Sequence, residues 1–152
     1  MILYRVGKTK HANDLTGNGA KLHGGRWNHI SIPCIYTSES RALAVLEYTV
    51  NVNVDDIPRA LSFTTFEVAD ADIQEVDMAD LPGNWMELPI PTSTKDFGSN
   101  LLSGLDSPVI KIASAVIPQE FNFLLNPLHS ASIHFKILDV QDFVYDVRIK
   151  LV

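Results

Sequence analysis

Five consecutive residues, Gly24-Gly25-Arg26-Trp27-Asn28, carry the densest chemistry in the chain. The paired glycines let the backbone turn tightly or come close to a ligand, and an arginine follows at once. Its guanidinium is a planar fork of donors that suits a phosphate or a pyrophosphate. Trp27 can pack beneath such a loop, and Asn28 can fix its turn. The plainer reading of the same residues is a tight turn with a surface arginine. Tyr36, in Tyr36-Thr37-Ser38 at a strand end, can offer its ring and hydroxyl to a cleft mouth, or serve as a core aromatic. Glu47 stands beside an apolar helical stripe, where burying it unpaired is costly. It lies either on an exposed flank or against a cleft, where it can stabilise a cationic transition state or position a hydroxyl. Ser114 follows a strand, and no Ser/His/Asp order makes it a hydrolase nucleophile.

Other signatures are missing. No Walker-type loop, no dinucleotide fingerprint opening a helix after a strand and no nucleophile elbow occurs. His11, His23, His29, His129 and His134 lack the spacing of a metal set, so no metal is expected. The single cysteine, Cys34, lies in an apolar run and reads as a small buried hydrophobe.

These residues need elements to position them. Ile2 to Val6 alternates as a first strand, and His11 to Asn28 is polar and Gly-rich, with Gly17-Asn18-Gly19 leading into no convincing helix. Pro33 to Thr37 reads as a second strand. Ser38 or Ser40 caps the helix that follows, whose Ala42, Leu43, Leu46 and Val50 are expected to face the core. Ala60 to Val68 is a strand and Ile73 to Val76 a short one. Met78 to Pro91 is a loop. Thr94 to Leu105 is a helix with Phe97, Leu101, Leu102 and Leu105 on one face and Gly98 as a weak point. Val109 to Ala113 is a strand, Val116 to Pro127 an apolar connection, and Phe135 to Val140 with Phe143 to Ile149 a closing hairpin. Helices are few and do not alternate regularly with strands. The expected class is α+β, a single compact domain with a mixed, mostly antiparallel sheet core.

Length and composition agree with one globular domain: 152 residues, 46% hydrophobic and 20% charged. The net charge of −6, with no basic cluster to offset it, disfavours direct nucleic-acid binding. Nothing in the sequence reads as a signal peptide or a membrane span, and a lone cysteine does not suggest an oxidising compartment, so the cytoplasm is expected.

In order and spacing, the residues resemble the RES domain, named for its arginine, glutamate and serine, over residues 1–152. The resemblance runs from Leu3-Tyr4-Arg5 through Gly24-Gly25-Arg26-Trp27-Asn28, Tyr36-Thr37-Ser38 and Ala42-Leu43-Ala44-Val45-Leu46-Glu47. It continues through Leu81-Pro82-Gly83-Asn84-Trp85 and Ser114-Ala115-Val116-Ile117-Pro118. It closes on Glu120-Phe121-Asn122-Phe123-Leu124-Leu125-Asn126-Pro127-Leu128-His129. Two places depart from the common pattern: Ala113 stands where proline often precedes the serine, and Ser130 where a proline often follows.

The resemblance implies a fold similar to ADP-ribosyltransferases. It implies a toxin that depletes NAD+ by cutting the nicotinamide–ribose bond, with water or phosphate as acceptor, and an Xre-type antitoxin partner that carries the DNA contact. The alternatives are ADP-ribose transfer to a protein, or a silent domain that only binds its antitoxin. NAD+ is then substrate, and family members often associate as homo-oligomers. The implied catalytic residues are Arg26, Tyr36, Glu47 and Ser114, with Asn28 and Asn126 added as substrate-binding residues. On that reading Glu47 stabilises positive charge on the ribose and Arg26 holds phosphate. Tyr36 stacks on nicotinamide or orients the ribose, and Ser114 bonds the carboxamide or steers Glu47; these two roles are exchangeable.

Overall fold

A computed structural model describes residues 1–150. Its centre is a seven-stranded sheet in the order β4-β5-β6-β2-β1-β3-β7. The strands are β1 (Ile2–Lys8), β2 (Ile35–Ser38), β3 (Leu61–Glu67), β4 (Ile73–Glu75), β5 (Val109–Ala113), β6 (Phe121–Leu125) and β7 (Lys136–Phe143). Only β4 and β5 pair in parallel; every other neighbour is antiparallel. This is the expected α+β class with a mixed, mostly antiparallel core.

Alternation along the central strands feeds two cores. Ile110 and Ile112 of β5 and Leu124 of β6 join Trp27, Trp85 and Leu102. Val109, Phe123 and Leu125 join Leu3, Ile35 and Phe66 in the other cluster. A strand buried on both faces has no polar side to show, so its sequence is a continuous apolar run. That is why β6 reads as an apolar connection in sequence, and it corrects that expectation.

The helices are α1 (Asn18–His23), α2 (Arg41–Val50) and α3 (Thr92–Gly104). The polar, Gly-rich stretch thus contains a helix the sequence did not suggest. It has no buried residue, so it leaves no apolar stripe to detect. The expected start of α2 holds: Ser40 caps it and accepts from the Leu43 backbone N–H at 3.1 Å. Its inward face is rotated from the expected one. Leu43, Ala44 and Thr49 are buried, whereas Ala42 and Val50 are exposed. Thr49 can turn inward because its hydroxyl meets the Tyr145 hydroxyl at 2.7 Å.

In α3 the buried residues are Thr94, Gly98, Ser99 and Leu102, and Leu105 is the exposed cap beyond its end. The closing hairpin is also corrected. One strand, β7, runs through Gln141 and Asp142 against Phe63 and Ser62, and residues 147–149 form a 3-10 turn. No glycine, asparagine or proline occurs in 136–143 to reverse the chain.

Candidate active site

The central strands, α2 and two loops enclose a cleft of about 660 Å³. That is within the span of ordinary small-molecule sites, about 300–1,000 Å³. The β1 strand contributes Tyr4 and Arg5, the loop after α1 Gly25 and Arg26, and β2 Tyr36 and Ser38. Glu47 comes from α2 and Asn122 from β6.

The Gly24–Asn28 loop is built from beneath. Trp27 is buried, stacks on Trp85 with centroids 6.1 Å apart, and meets Phe97 edge-on. Asn28 is fully buried, and its Nδ2 donates to the carbonyls of Ala20, His29 and Ile32. Its Oδ1 accepts from the Tyr36 hydroxyl at 2.5 Å, and that hydroxyl accepts from the Trp27 N–H at 3.1 Å. Asn28 therefore acts on the loop from inside and does not line the cleft. Gly25 is required by close approach: a Cβ there would lie 2.6 Å from the Tyr36 hydroxyl oxygen. Burial pushes the Tyr36 phenol well above its ordinary pKa.

Arg26 is half-buried at the cleft. Its Nη1 donates to the Trp85 carbonyl at 2.7 Å and reaches that of Glu87 at 3.5 Å. Burial lowers its pKa, while the charges of Glu47 and Tyr36 act in the opposite sense. The same contacts tie down the 85–90 segment, whose Met86, Leu88 and Ile90 form an apolar wall of the cleft.

Glu47 is the best-oriented group. Its Oε1 accepts from Ser114 Oγ at 2.6 Å and from Asn122 Nδ2 at 2.6 Å. The Ser114 hydroxyl in turn accepts from the backbone N–H groups of Val116 and Ile117, each at 3.1 Å. With its lone pairs taken, its one proton is directed at Glu47. Ser114 is fully buried and meets Glu47 from behind the cleft.

The structure thus brings Arg26, Tyr36 and Glu47 to one cleft, with Ser114 behind Glu47 and Asn28 supporting the loop. Asn126 is elsewhere. It is fully buried, its Nδ2 donates to the Leu102 carbonyl at 2.8 Å, and its Oδ1 accepts from the Leu128 N–H, so it secures the turn after β6.

Arg5 and Asn122 are two further polar residues of the cleft lining, neither in the set expected from sequence. Arg5 is largely buried, its Nη2 donates to the carbonyls of His11 and Ala12, and burial lowers its pKa, opposed by the charge of Asp14. Its signal was a charged residue between the apolar neighbours of Ile2 to Val6. Asn122 is the other, hidden by the reading of its strand as a connection. Among the described residues no group of three or more His, Cys, Asp or Glu gathers as a metal site. Nor, among the described residues, is any helix long and apolar enough to cross a membrane.

Comparison with known proteins places the chain. A protein called Toxin Res from Yersinia enterocolitica is 35% identical over 153 residues, covering 99% of this chain and 100% of that protein. The Prs ADP-ribosylating toxin of a Sphingobium species is 33% identical, covering 93% of this chain and 89% of its own length. Among solved structures, a chain of the Mycobacterium tuberculosis MbcT–MbcA toxin–antitoxin complex superimposes with a TM-score of 0.74. It covers 93% of this chain and 83% of the other at 16% identity, a likeness of fold. The sequence profile of the RES domain matches residues 2–146. The chain belongs to the RES domain family.

Proposed function

We propose that this chain is the toxin of a toxin–antitoxin pair and consumes NAD+ in the cytoplasm by breaking the nicotinamide–ribose bond. The observation that carries the reading is Glu47: one carboxylate oxygen is held by Ser114 and Asn122, and the residue lines a cleft at which the guanidinium of Arg26 also stands. A dinucleotide needs these features together, a carboxylate for its reacting ribose and a cation for its diphosphate.

The chemistry asks little acid catalysis of the protein. The pyridinium nitrogen takes the electron pair of the breaking C–N bond, and nicotinamide leaves neutral. The ribose carbon left behind is oxocarbenium-like. Glu47 stabilises that positive charge, as carboxylates do in glycoside hydrolysis. Arg26 holds the phosphates and fixes the reacting geometry. Tyr36 supports the loop of Arg26 and walls the nicotinamide side; Ser114 and Asn28 act from behind. Asn126 supports the fold around the cleft. An oxygen of water or of phosphate then bonds to the ribose carbon, water giving up a proton.

A second reading is transfer of ADP-ribose to a protein, favoured by the similarity to the ADP-ribosylating toxin of Sphingobium. Both readings need the same nicotinamide site. The partner that restrains the toxin is an antitoxin of the Xre type, which would supply the DNA contact that this acidic chain does not. Incubating the purified protein with NAD+ and following free nicotinamide, with and without phosphate, tests the reading. Release into solution with no labelled protein supports glycohydrolase or phosphorylase action. Label from NAD+ on a protein band supports the transferase, and no release under any condition contradicts both.

A further inference from the structure

We infer that Asn122, oriented by Ser38, is a second positioning residue for Glu47, and that the pair leaves Glu47 Oε2 as the single oxygen that works on substrate. The inference rests on the reading of the cleft as an NAD+ site. Asn122 is a polar residue inside Phe121–Leu125, a central strand that is otherwise apolar. A polar side chain is costly in such a place unless it is bonded. It stands opposite Ser38 on β2 and Ile112 on β5, at the end of the sheet that α2 overlies.

The direction of its hydrogen bonds is fixed by chemistry. Asn122 meets Glu47 Oε1 at 2.6 Å, and a carboxylate oxygen accepts, so the amide must present its N–H₂ there. Its carbonyl oxygen then faces Ser38 Oγ at 2.7 Å, and the serine must donate. A flipped amide would set two acceptors against each other at the shorter contact. The result is a relay, Ser38 to Asn122 to Glu47, that meets the Ser114 hydroxyl on the same oxygen.

One donor would leave the carboxylate free to swing about it. Two donors, from β6 and from the turn after β5, fix the plane of the group. Among the described residues nothing donates to Oε2. Glu47 therefore reaches the cleft with its side-chain ordering already done in the fold, the condition under which a positioned group contributes most to rate.

The test compares Asn122→Ala, Ser38→Ala and the double variant for nicotinamide release, KM for NAD+ and thermal midpoint. Misplacing a catalytic group by about 1 Å costs about 100-fold. Asn122→Ala should lower kcat by about 10- to 100-fold with KM within about threefold. Ser38→Ala keeps the direct Asn122 contact and should lose less, and it should cost nothing further in the Asn122→Ala background, since it acts only through Asn122. A merely structural role would move the thermal midpoint and leave no such coupling in kcat. Asn122→Ala with kcat within about twofold of wild type, or a loss confined to KM, would overturn the inference while the wild type still releases nicotinamide. Independent, multiplying losses in the double variant would overturn it too. A wild type that releases none overturns the NAD+ reading itself.

Discussion

Gly98→Ala puts the packing of the site to a test with an unambiguous sign. In a helix interior, replacing glycine by alanine ordinarily stabilises by about 0.5–1 kcal/mol. Gly98 lies in the middle of α3 and is buried. A Cβ there would stand 2.1 Å from the Trp27 carbonyl oxygen, 2.6 Å from Trp27 Cβ and 2.7 Å from its carbonyl carbon. The oxygen and carbon are backbone and cannot rotate aside, so the whole 25–31 loop must retreat from α3. That loop is pinned to the same helix by His29 N–H to Ser99 Oγ at 2.9 Å and by His29 to Asp96 at 2.6 Å. Overpacking of this kind costs about 1–3 kcal/mol, which outweighs the propensity gain. A 2.1 Å approach to backbone belongs at the upper end of that cost, so the net loss is about 2 kcal/mol, and at about 2–4 °C per kcal/mol Tm should fall by about 4–8 °C. Because the displaced loop carries Arg26, nicotinamide release should also fall by at least about tenfold. Gly19→Ala is the matched control: it is helical, and a Cβ there meets nothing within 4 Å, so its Tm should hold or rise. Circular dichroism melts of both variants decide the matter. A Gly98→Ala protein as stable as Gly19→Ala would refute the close approach of α3 to the loop.

Tyr36→Phe should strand Asn28 Oδ1 and the Trp27 N–H inside the protein, a loss of roughly 2–6 kcal/mol at about 1–3 per buried unpaired group, measured by denaturant melts. A loss below about 1 kcal/mol would contradict that role. The same phenol has its folded pKa raised by burial, so the native state holds its proton longer than the unfolded one. Its contribution to stability is full below about pH 10 and is lost as pH rises above that, and Tyr36→Phe should flatten this alkaline decline. Burial also pushes the Cys34 thiol far up, so no thiolate is available near neutrality. Ellman's reagent should leave the native protein unlabelled and react with the thiol once denaturant is added; prompt labelling of the native protein would contradict the burial.

Much of the site was legible because its chemistry is concentrated in residue types that have little reason to sit in a core. Arg26 after two glycines and Glu47 beside an apolar stripe each carried a signal, Ser114 stood out only through the family resemblance, and the fold brings the three together. What was hidden depended on burial from both sides. The β6 strand has no alternating pattern, so Asn122 gave no hint that it faced Ser38 and Glu47 across two other elements. The rotation of α2 was hidden for a related reason: Thr49 looks polar in sequence and turns inward only because Tyr145, 96 residues later, satisfies its hydroxyl. Asn126 and Asn28 carry polar signals too, yet their amides are taken up by backbone groups. Sequence can mark a polar residue in an apolar context, but whether its partner is a ligand or a carbonyl is decided only by the fold.

The central claim is that the carboxylate of Glu47 drives loss of nicotinamide, and Glu47→Gln isolates it. Glutamine keeps an Oε1 that can still accept from Ser114 and Asn122, so the fold and the network remain while the charge presented to the cleft is removed. The measurement is initial nicotinamide release from NAD+ by Glu47→Gln and wild type at matched Tm. Removing one preorganised electrostatic group typically costs about 100- to 1,000-fold, and a loss of that size in kcat is the predicted result. A Glu47→Gln protein that releases nicotinamide at the wild-type rate would contradict the account.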